Sequence, residues 1–253
     1  MLAIFAAGVA AGTINTIVGS GSLITFPTLL AFGFPPVTAN VSNNIGLVPG
    51  GVSGTWGYRR ELSGQGRLVR ALAPMSLLGS VAGALLLLRL PAAAFKAIVP
   101  VLLAIAIVLV LLQPRMQARV AARHADPERS QPWWNRALLM GGTFGAGAYG
   151  GYFGAAQGVL LMGLLGSLVP EDLQRLNAVK NLLALIVNTV AAVTFLLVAR
   201  EHIDVAIVLL IAAGSLLGGV LGSRYGRRLP PRALRAVIVG VGVVAIVKVV
   251  TTG

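Results

Sequence analysis

Long apolar stretches separated by short polar breaks dominate the chain. Six of them are long enough to cross a bilayer as single helices, since about 20 helical residues span roughly 30 Å of hydrocarbon. These predicted spans lie near 38–57, 68–89, 92–112, 176–199, 204–223 and 233–250. Two more apolar regions, 2–33 and 136–169, are too long for one spanning helix and too short for two, and glycines interrupt both. We therefore expect two broken helices in addition to the six spans.

The second half of the chain resembles the first. A gapless shift places four residues over matching ones: Gly8 over Gly145, Gly21 over Gly158, Asn40 over Asn177 and Asn44 over Asn181. Further on, "GSVAG" at 79–83 matches "GSLLG" at 214–218. We interpret this as two copies of one unit, 1–112 and 136–253, joined by a polar cytoplasmic linker, 113–135. The alternative is chance similarity between apolar sequences.

The basic loops predict the orientation of the two copies. Positive charge concentrates in 58–70, in 113–136 and in 224–232, and such loops favour the cytoplasmic side. All three can lie inside only if each broken region enters and returns on the same side. The expected fold is an all-α integral membrane protein with two inverted-topology repeats, each a broken or re-entrant helical hairpin plus three transmembrane helices. The alternative, in which each broken region crosses once, leaves 224–232 outside.

Composition supports a membrane protein and excludes several other classes. The chain has 253 residues, of which 57% are hydrophobic and 11% charged, against about 25% charged in soluble domains. The net charge of +13 is dispersed over short loops, so we expect no nucleic-acid partner. With no cysteine and two histidines, His124 and His202, in polar breaks, we expect no metal and no cofactor. No Ser/His or paired-Asp constellation falls inside a span, so we predict that the protein is not an enzyme.

The glycine-rich breaks are the first candidate site. Irregular backbone at membrane depth is tolerated only where protein buries it or a cavity borders it, so "GSGS" at 19–22 predicts a cavity. A short helix beginning at Ser22 would direct unpaired N-terminal amides towards an anion. "GAAQG" at 154–158 takes the same place in the second copy. The alternative is that the glycines only permit close helix packing. The candidate substrate ligands here are Gly19, Ser20, Gly21, Ser22, Gly154, Gln157 and Gly158.

Polar side chains early in two long spans are the second candidate site. Their spacing of three and four residues places them on one helix face, where their N–H groups can share an oxyanion. The alternatives are hydrogen bonds between helices and, for Lys180, snorkelling to the cytoplasmic interface. These candidates are Asn40, Asn43, Asn44, Asn177, Lys180 and Asn181.

Two segments carry a resemblance to a known family. They are "GVAAGTINTIVGSGSLITFPTLLAFGFPPVTANVSNNIGLVPGG" and "GAYGGYFGAAQGVLLMGLLGSLVPEDLQRLNAVKNLLALIVNTVAAVTFLL". The chain resembles the TauE/SafE family of sulfite and organosulfur-anion exporters. The resemblance implies a multi-pass protein of the bacterial inner membrane that exports small anions such as sulfite, sulfoacetate or related sulfonates. It leaves the oligomeric state open. We expect alternating access around a midplane site, with a passive anion channel of similar architecture as the alternative.

Overall fold

The computed structural model describes residues 1–124 and 134–226 and, beyond them, residues 236, 238–244 and 246–247. The described chain is helical. The helices are α1 (Leu2–Ile17), α2 (Ser22–Ala31), α3 (Pro36–Gly57), α4 (Gly66–Arg89), α5 (Ala92–His124), α6 (Trp134–Tyr152), α7 (Gln157–Leu168), α8 (Leu173–Val198) and α9 (Val205–Tyr225), with a 3-10 turn at Arg200–His202 before α9.

Four described helices are long and apolar enough to cross a membrane. They are α4, α5 over Ala92–Arg115, α8 and α9. The predicted span near 38–57 forms α3, which has 22 residues but contains polar side chains that lower its hydropathy. The predicted span near 233–250 lies largely outside the described residues. These helices support a multi-pass helical membrane protein.

Both predicted helix breaks are present. The chain between α1 and α2 leaves the helical conformation at Gly19, with φ +88°, and the chain between α6 and α7 does so at Gly154, with φ +80°. Each glycine amide closes the preceding helix, since Gly19 N donates to Ile14 O and Gly154 N to Tyr149 O, both at 3.1 Å. A left-handed residue that ends a helix in this way favours glycine, which has no Cβ to collide with the carbonyl.

The first and second halves of the chain pack against each other throughout. Helices α1 and α3 contact α9, helices α6 and α8 contact α4, and α3 contacts α8. Small residues bring these helices close together: a Cβ added at Gly12 would collide with the carbonyl oxygen of Ser215, and one added at Gly83 with that of Ala148. Such contacts are typical of helix pairs in membranes, where close backbone approach replaces the hydrophobic effect as the source of association.

The packing contacts correct the sequence register in the broken helices. Gly8 faces Ile211 in the α1–α9 pair, and the residue in the matching place of the α4–α6 pair is Gly147, which faces Ser76. The gapless shift instead paired Gly8 with Gly145, which is exposed and has no heavy atom within 4 Å of an added Cβ. The shift fails here because the segments between packing glycine and break differ in length. Gly12 to Gly19 in the first half is about one helical turn longer than Gly151 to Gly154 in the second.

The structure describes the first part of the predicted linker. Helix α5 continues through 113–124, so the first part of the predicted linker 113–135 is an extension of a helix. Residues 125–133 lie outside the described residues.

Candidate functional site

The two helix breaks touch each other. The backbone amide of Gly158, at the start of α7, donates to the carbonyl oxygen of Gly19 at 2.9 Å. A Cβ added to either glycine would collide with the Cα of the other. The backbones approach so closely that neither position accepts a side chain, which agrees with the packing interpretation of these two glycines.

Asn43 joins α3 to the start of α2. Its amide donates to Ser22 Oγ at 3.1 Å, and its carbonyl oxygen accepts from Thr25 Oγ1. Asn43 is 1% exposed, so these bonds form away from solvent. Both ends of the Asn43 side chain therefore have protein partners.

Three predicted residues of α8 hold the end of α1. The amides of Asn177 and Asn181 donate to the carbonyl oxygen of Thr16 at 3.3 and 3.2 Å. Lys180 Nζ donates to the carbonyl oxygens of Asn15 and Thr16 at 3.2 and 3.3 Å. The last carbonyls of a helix have no partner within it and carry partial negative charge, so a cation and amides satisfy them well.

Asn40 does the same for the other broken helix. Its amide on α3 donates at 3.0 Å to the carbonyl oxygen of Tyr152, the last residue of α6. The two breaks are thus held by a common device, in which the long helix after one break supplies side-chain donors to the end of the broken helix in the other half.

Lys180 lies inside the protein. Its side chain is 1% exposed and bonds backbone carbonyls, so it does not reach the surface as snorkelling requires. The described structure shows ion pairs between Arg175 and Glu171 and between His202 and Glu201, and none between a carboxylate and Lys180. Its partners in the described structure are the last backbone carbonyls of α1, which stabilise the protonated form of a lysine.

Two predicted donors have no partner in the described structure. The hydroxyl of Ser20 and the amide nitrogen of Gln157 are buried without a hydrogen bond, and the residues are 0% and 3% exposed. Each adjoins one of the touching glycines, Ser20 following Gly19 and Gln157 preceding Gly158. The side-chain amide oxygen of Asn44, Oδ1, is an acceptor that is also buried without a partner. Buried polar groups are rarely left unpaired without a reason, so the unpaired Ser20 hydroxyl and Gln157 amide call for an explanation.

The expectation of unpaired amides at the start of α2 is wrong for its first turn. Leu23 N donates to Ser20 O at 3.1 Å and Ile24 N to Gly21 O at 2.9 Å. The reason is that Gly21 keeps a helical conformation, with φ −58° and ψ −38°, and the chain closes a tight turn before α2. These amides are therefore not available to an anion.

The comparison with protein families shows to which family this chain belongs. The model of the sulfite exporter TauE/SafE family matches residues 4–249, nearly the whole chain. The chain belongs to the TauE/SafE family. The resemblance carried by the repeat segments is thereby confirmed.

Named relatives of this TauE/SafE chain are described as probable membrane transporters. It is 29% identical to the probable membrane transporter protein YfcA of Escherichia coli K12, over 97% of this chain and 87% of the relative. It is 28% identical to a probable membrane transporter protein of Haemophilus influenzae, over 87% and 83%. It is 30% identical to the probable membrane transporter protein ORF9 of a Sinorhizobium species, over 97% and 90%. No solved structure matches the chain.

Some polar residues near the breaks of this TauE/SafE protein were not predicted. Thr25 bonds Asn43, and the hydroxyls of Tyr149 and Tyr152, in the last turn of α6, are buried without a partner. Tyrosine is common in apolar spans, so its presence in the sequence does not indicate a buried, unpaired hydroxyl. Their position just before the glycine break is the one feature of the sequence that could have identified them.

Proposed function

We propose that this protein exports small sulfur-containing anions, such as sulfite, sulfoacetate or related sulfonates, across the bacterial inner membrane by alternating access. Membership in the TauE/SafE family establishes a membrane transporter and supports this substrate class. The observation that carries the proposal is the pair of unpartnered donors, Ser20 and Gln157, beside the contact between the two breaks. Sulfite and sulfonates have several oxygens that accept such hydrogen bonds.

The charge inside the protein favours an anion. In this proposal the buried Lys180 side chain is protonated, and no carboxylate of the described chain pairs with it. A unit charge about 6 Å from an anion contributes roughly 3 kcal/mol at an effective dielectric constant of about 20. Asn177 and Asn181 donate to the same Thr16 carbonyl oxygen as Lys180.

Helix directions support inverted repeats. In the α1–α9 pair Gly8 faces Ile211 and Gly222 faces Thr13, so the two helices are parallel, and the corresponding contacts make α4 parallel to α6. Helices α3 and α9 end beside the same cavity, and the short connection 58–65 turns the chain back into α4. Helix α4 is therefore antiparallel to α9. As a result, α1 and α6 approach the contact between Gly19 and Gly158 from opposite sides. Alternating access in inverted repeats uses such a central site.

The positions of the acids point to the driving force. Glu61, Glu171, Asp172, Glu201 and Asp204 all lie between the long helices, and Asp204 caps α9 by accepting from Ile207 N at 3.0 Å. Proton-coupled carriers generally place an ionisable group inside the membrane for the proton. We therefore infer electrogenic export, in which an inside-negative potential supplies about 2.3 kcal/mol per charge per 100 mV.

Counterflow in proteoliposomes tests the function. Vesicles preloaded with unlabelled anion are diluted into labelled sulfite, thiosulfate, sulfoacetate or a carboxylate such as acetate, with protein-free vesicles as the control. We expect saturable, trans-stimulated uptake of the sulfur-containing anions and an outward-anion current at an inside-negative clamped potential. Uptake without trans-stimulation would favour the channel alternative. Preference for the carboxylate would contradict the substrate class, and loss of transport without a proton gradient would contradict electrogenic export.

A further inference from the structure

A cavity of about 750 Å³ lies at the ends of α3 and α9, apart from the buried site. Arg59 and Arg60, which follow α3, and Arg224, in the last turn of α9, line it together with the single carboxylate of Glu61. Both halves of the chain thus contribute cations to one cavity. None of the residues proposed to bind the transported anion lines it.

One of the arginines is held in a defined orientation. The Arg59 guanidinium lies 5.1 Å from the centre of the Trp56 ring, and its Nη1 donates to the carbonyl oxygen of Trp56 at 3.0 Å. A guanidinium has five N–H donors in a planar fork that fits the oxygens of a phosphate group. Orientation by stacking lowers the entropy that Arg59 loses on binding such a group.

The cavity lies beside exposed apolar side chains. Trp56 is 69% exposed, Val52 on the preceding turn of α3 is 51% exposed, and Val220 on α9 is 46% exposed. Large apolar side chains exposed on membrane helices contact acyl chains, and tryptophan is enriched at the level of the headgroups. The site therefore combines a cationic cavity with an adjoining apolar surface.

We propose that this cavity binds the headgroup phosphate of an anionic phospholipid, whose acyl chains lie along the exposed apolar side chains of α3 and α9. Basic pockets between membrane helices suit such headgroups. Free inorganic phosphate shares the chemistry of the phosphate group, but it makes no use of the apolar surface. The ligand is thus a structural lipid, distinct from the transported anion.

Native mass spectrometry of the detergent-purified protein tests the proposal. The probes are dioctanoylphosphatidylglycerol, dioctanoylphosphatidylcholine and inorganic phosphate. We expect saturable binding of phosphatidylglycerol, at least 10-fold weaker in R59Q/R224Q. The single variant R224Q, which keeps the Arg59–Trp56 contact, is expected to show part of that loss. The matched control is R67Q/R70Q, which removes the same charge from two exposed arginines at the start of α4 and should bind normally.

Three results would overturn the proposal. Equal weakening in R59Q/R224Q and R67Q/R70Q would mean unspecific attraction to the basic end of the protein. Binding of inorganic phosphate as tightly as phosphatidylglycerol would identify a free-anion site. Equal binding of phosphatidylcholine would show that the cationic cavity does not select the lipid. The mutated arginines are exposed, so the variants are expected to fold, and unchanged gel-filtration profiles would verify this.

Discussion

The buried polar side chains around the two breaks divide into those with partners and those without. Asn40 and Asn43 donate within the protein, to Tyr152 O and Ser22 Oγ. Ser20 and Gln157 have buried donors that bond nothing in the described structure. Removing a partnered group leaves its partner unsatisfied, whereas removing an unpartnered one does not. The two classes should therefore respond differently to substitution.

Ser20→Ala and Gln157→Leu should impair transport more than folding. Each removes a donor that has no protein partner, so we expect KM for the transported anion to rise about 10-fold, the equivalent of one hydrogen bond to a charged group. The matched control is Asn43→Ala, which removes the hydrogen-bond partner of Ser22 and Thr25 and should lower the melting temperature. KM is measured in proteoliposomes and melting by differential scanning fluorimetry. Normal KM in both Ser20→Ala and Gln157→Leu would remove these residues from the site.

Lys180→Gln should weaken anion binding through the loss of charge. At an effective dielectric constant of about 20 the charge contributes roughly 3 kcal/mol, so KM should rise by 10-fold or more. Asn181→Ala is the control, because it removes a donor to the same Thr16 carbonyl without removing charge. It should lower stability and leave KM near that of the wild type. Equal KM values for the two variants would show that Lys180 acts only as a cap of α1.

At the scale of helices, each broken helix depends on the other half of the chain. The end of α1 is capped from α8 and the end of α6 from α3. The bodies of α1 and α6 pack through glycines against α9 and α4. A short helix that ends inside a membrane needs partners for its last carbonyls, and here they come from a segment distant in sequence. Glycine permits the backbone conformation of each break, but each break also depends on donors from the other half of the chain.

Gly12→Ala should destabilise the protein, and Gly145→Ala should not. A Cβ at Gly12 would collide with the backbone of Ser215 and force α1 away from α9, at a cost of about 1–3 kcal/mol. Gly145 is exposed in α6 with no atom near an added Cβ, and alanine favours helix. Thermal unfolding of the detergent-purified variants measures the difference. Equal melting temperatures would contradict the packing register described for α1.

For the whole molecule, the arginines that follow α3 and the arginine in the last turn of α9 meet at one end. Arg59 and Arg60 follow α3, and Arg224 ends α9, and all three line one cavity. The connection Arg200–His202 precedes α9 and so lies at its opposite end. Because basic loops favour the cytoplasm, the arginine end should face inwards and the α8–α9 connection outwards.

Single-cysteine labelling tests this orientation without background, since the chain contains no cysteine. Ser63→Cys and Arg224→Cys, both at exposed positions, should react with impermeant maleimide only from the cytoplasmic side. Glu201→Cys, where the side chain is 69% exposed, should react only from the periplasm. Gln65, at 4% exposure, would be a poor reporter. Labelling of Ser63→Cys and Arg224→Cys from opposite sides would contradict the parallel arrangement of α3 and α9.

The sequence by itself determined the membrane class, the family and the places where the helices break. These follow from local properties: apolar length, the family pattern, and glycines such as Gly19 and Gly154 between apolar arms. It also identified the polar residues around the breaks, because polar groups stand out in an apolar span. It could not assign their partners, so Asn40, Asn43 and Lys180 remained open between ligand and structural roles.

Only the tertiary structure shows which groups those residues contact. Lys180 bonds Asn15 and Thr16 across more than 160 positions of sequence, and Gly158 bonds Gly19 across 139, so no local pattern encodes either contact. The same holds for the register of α1. A gapless match between apolar sequences does not reveal that one helix has an extra turn. The contact between Gly12 and Ser215 does reveal it, because two backbones can approach this closely in only one register.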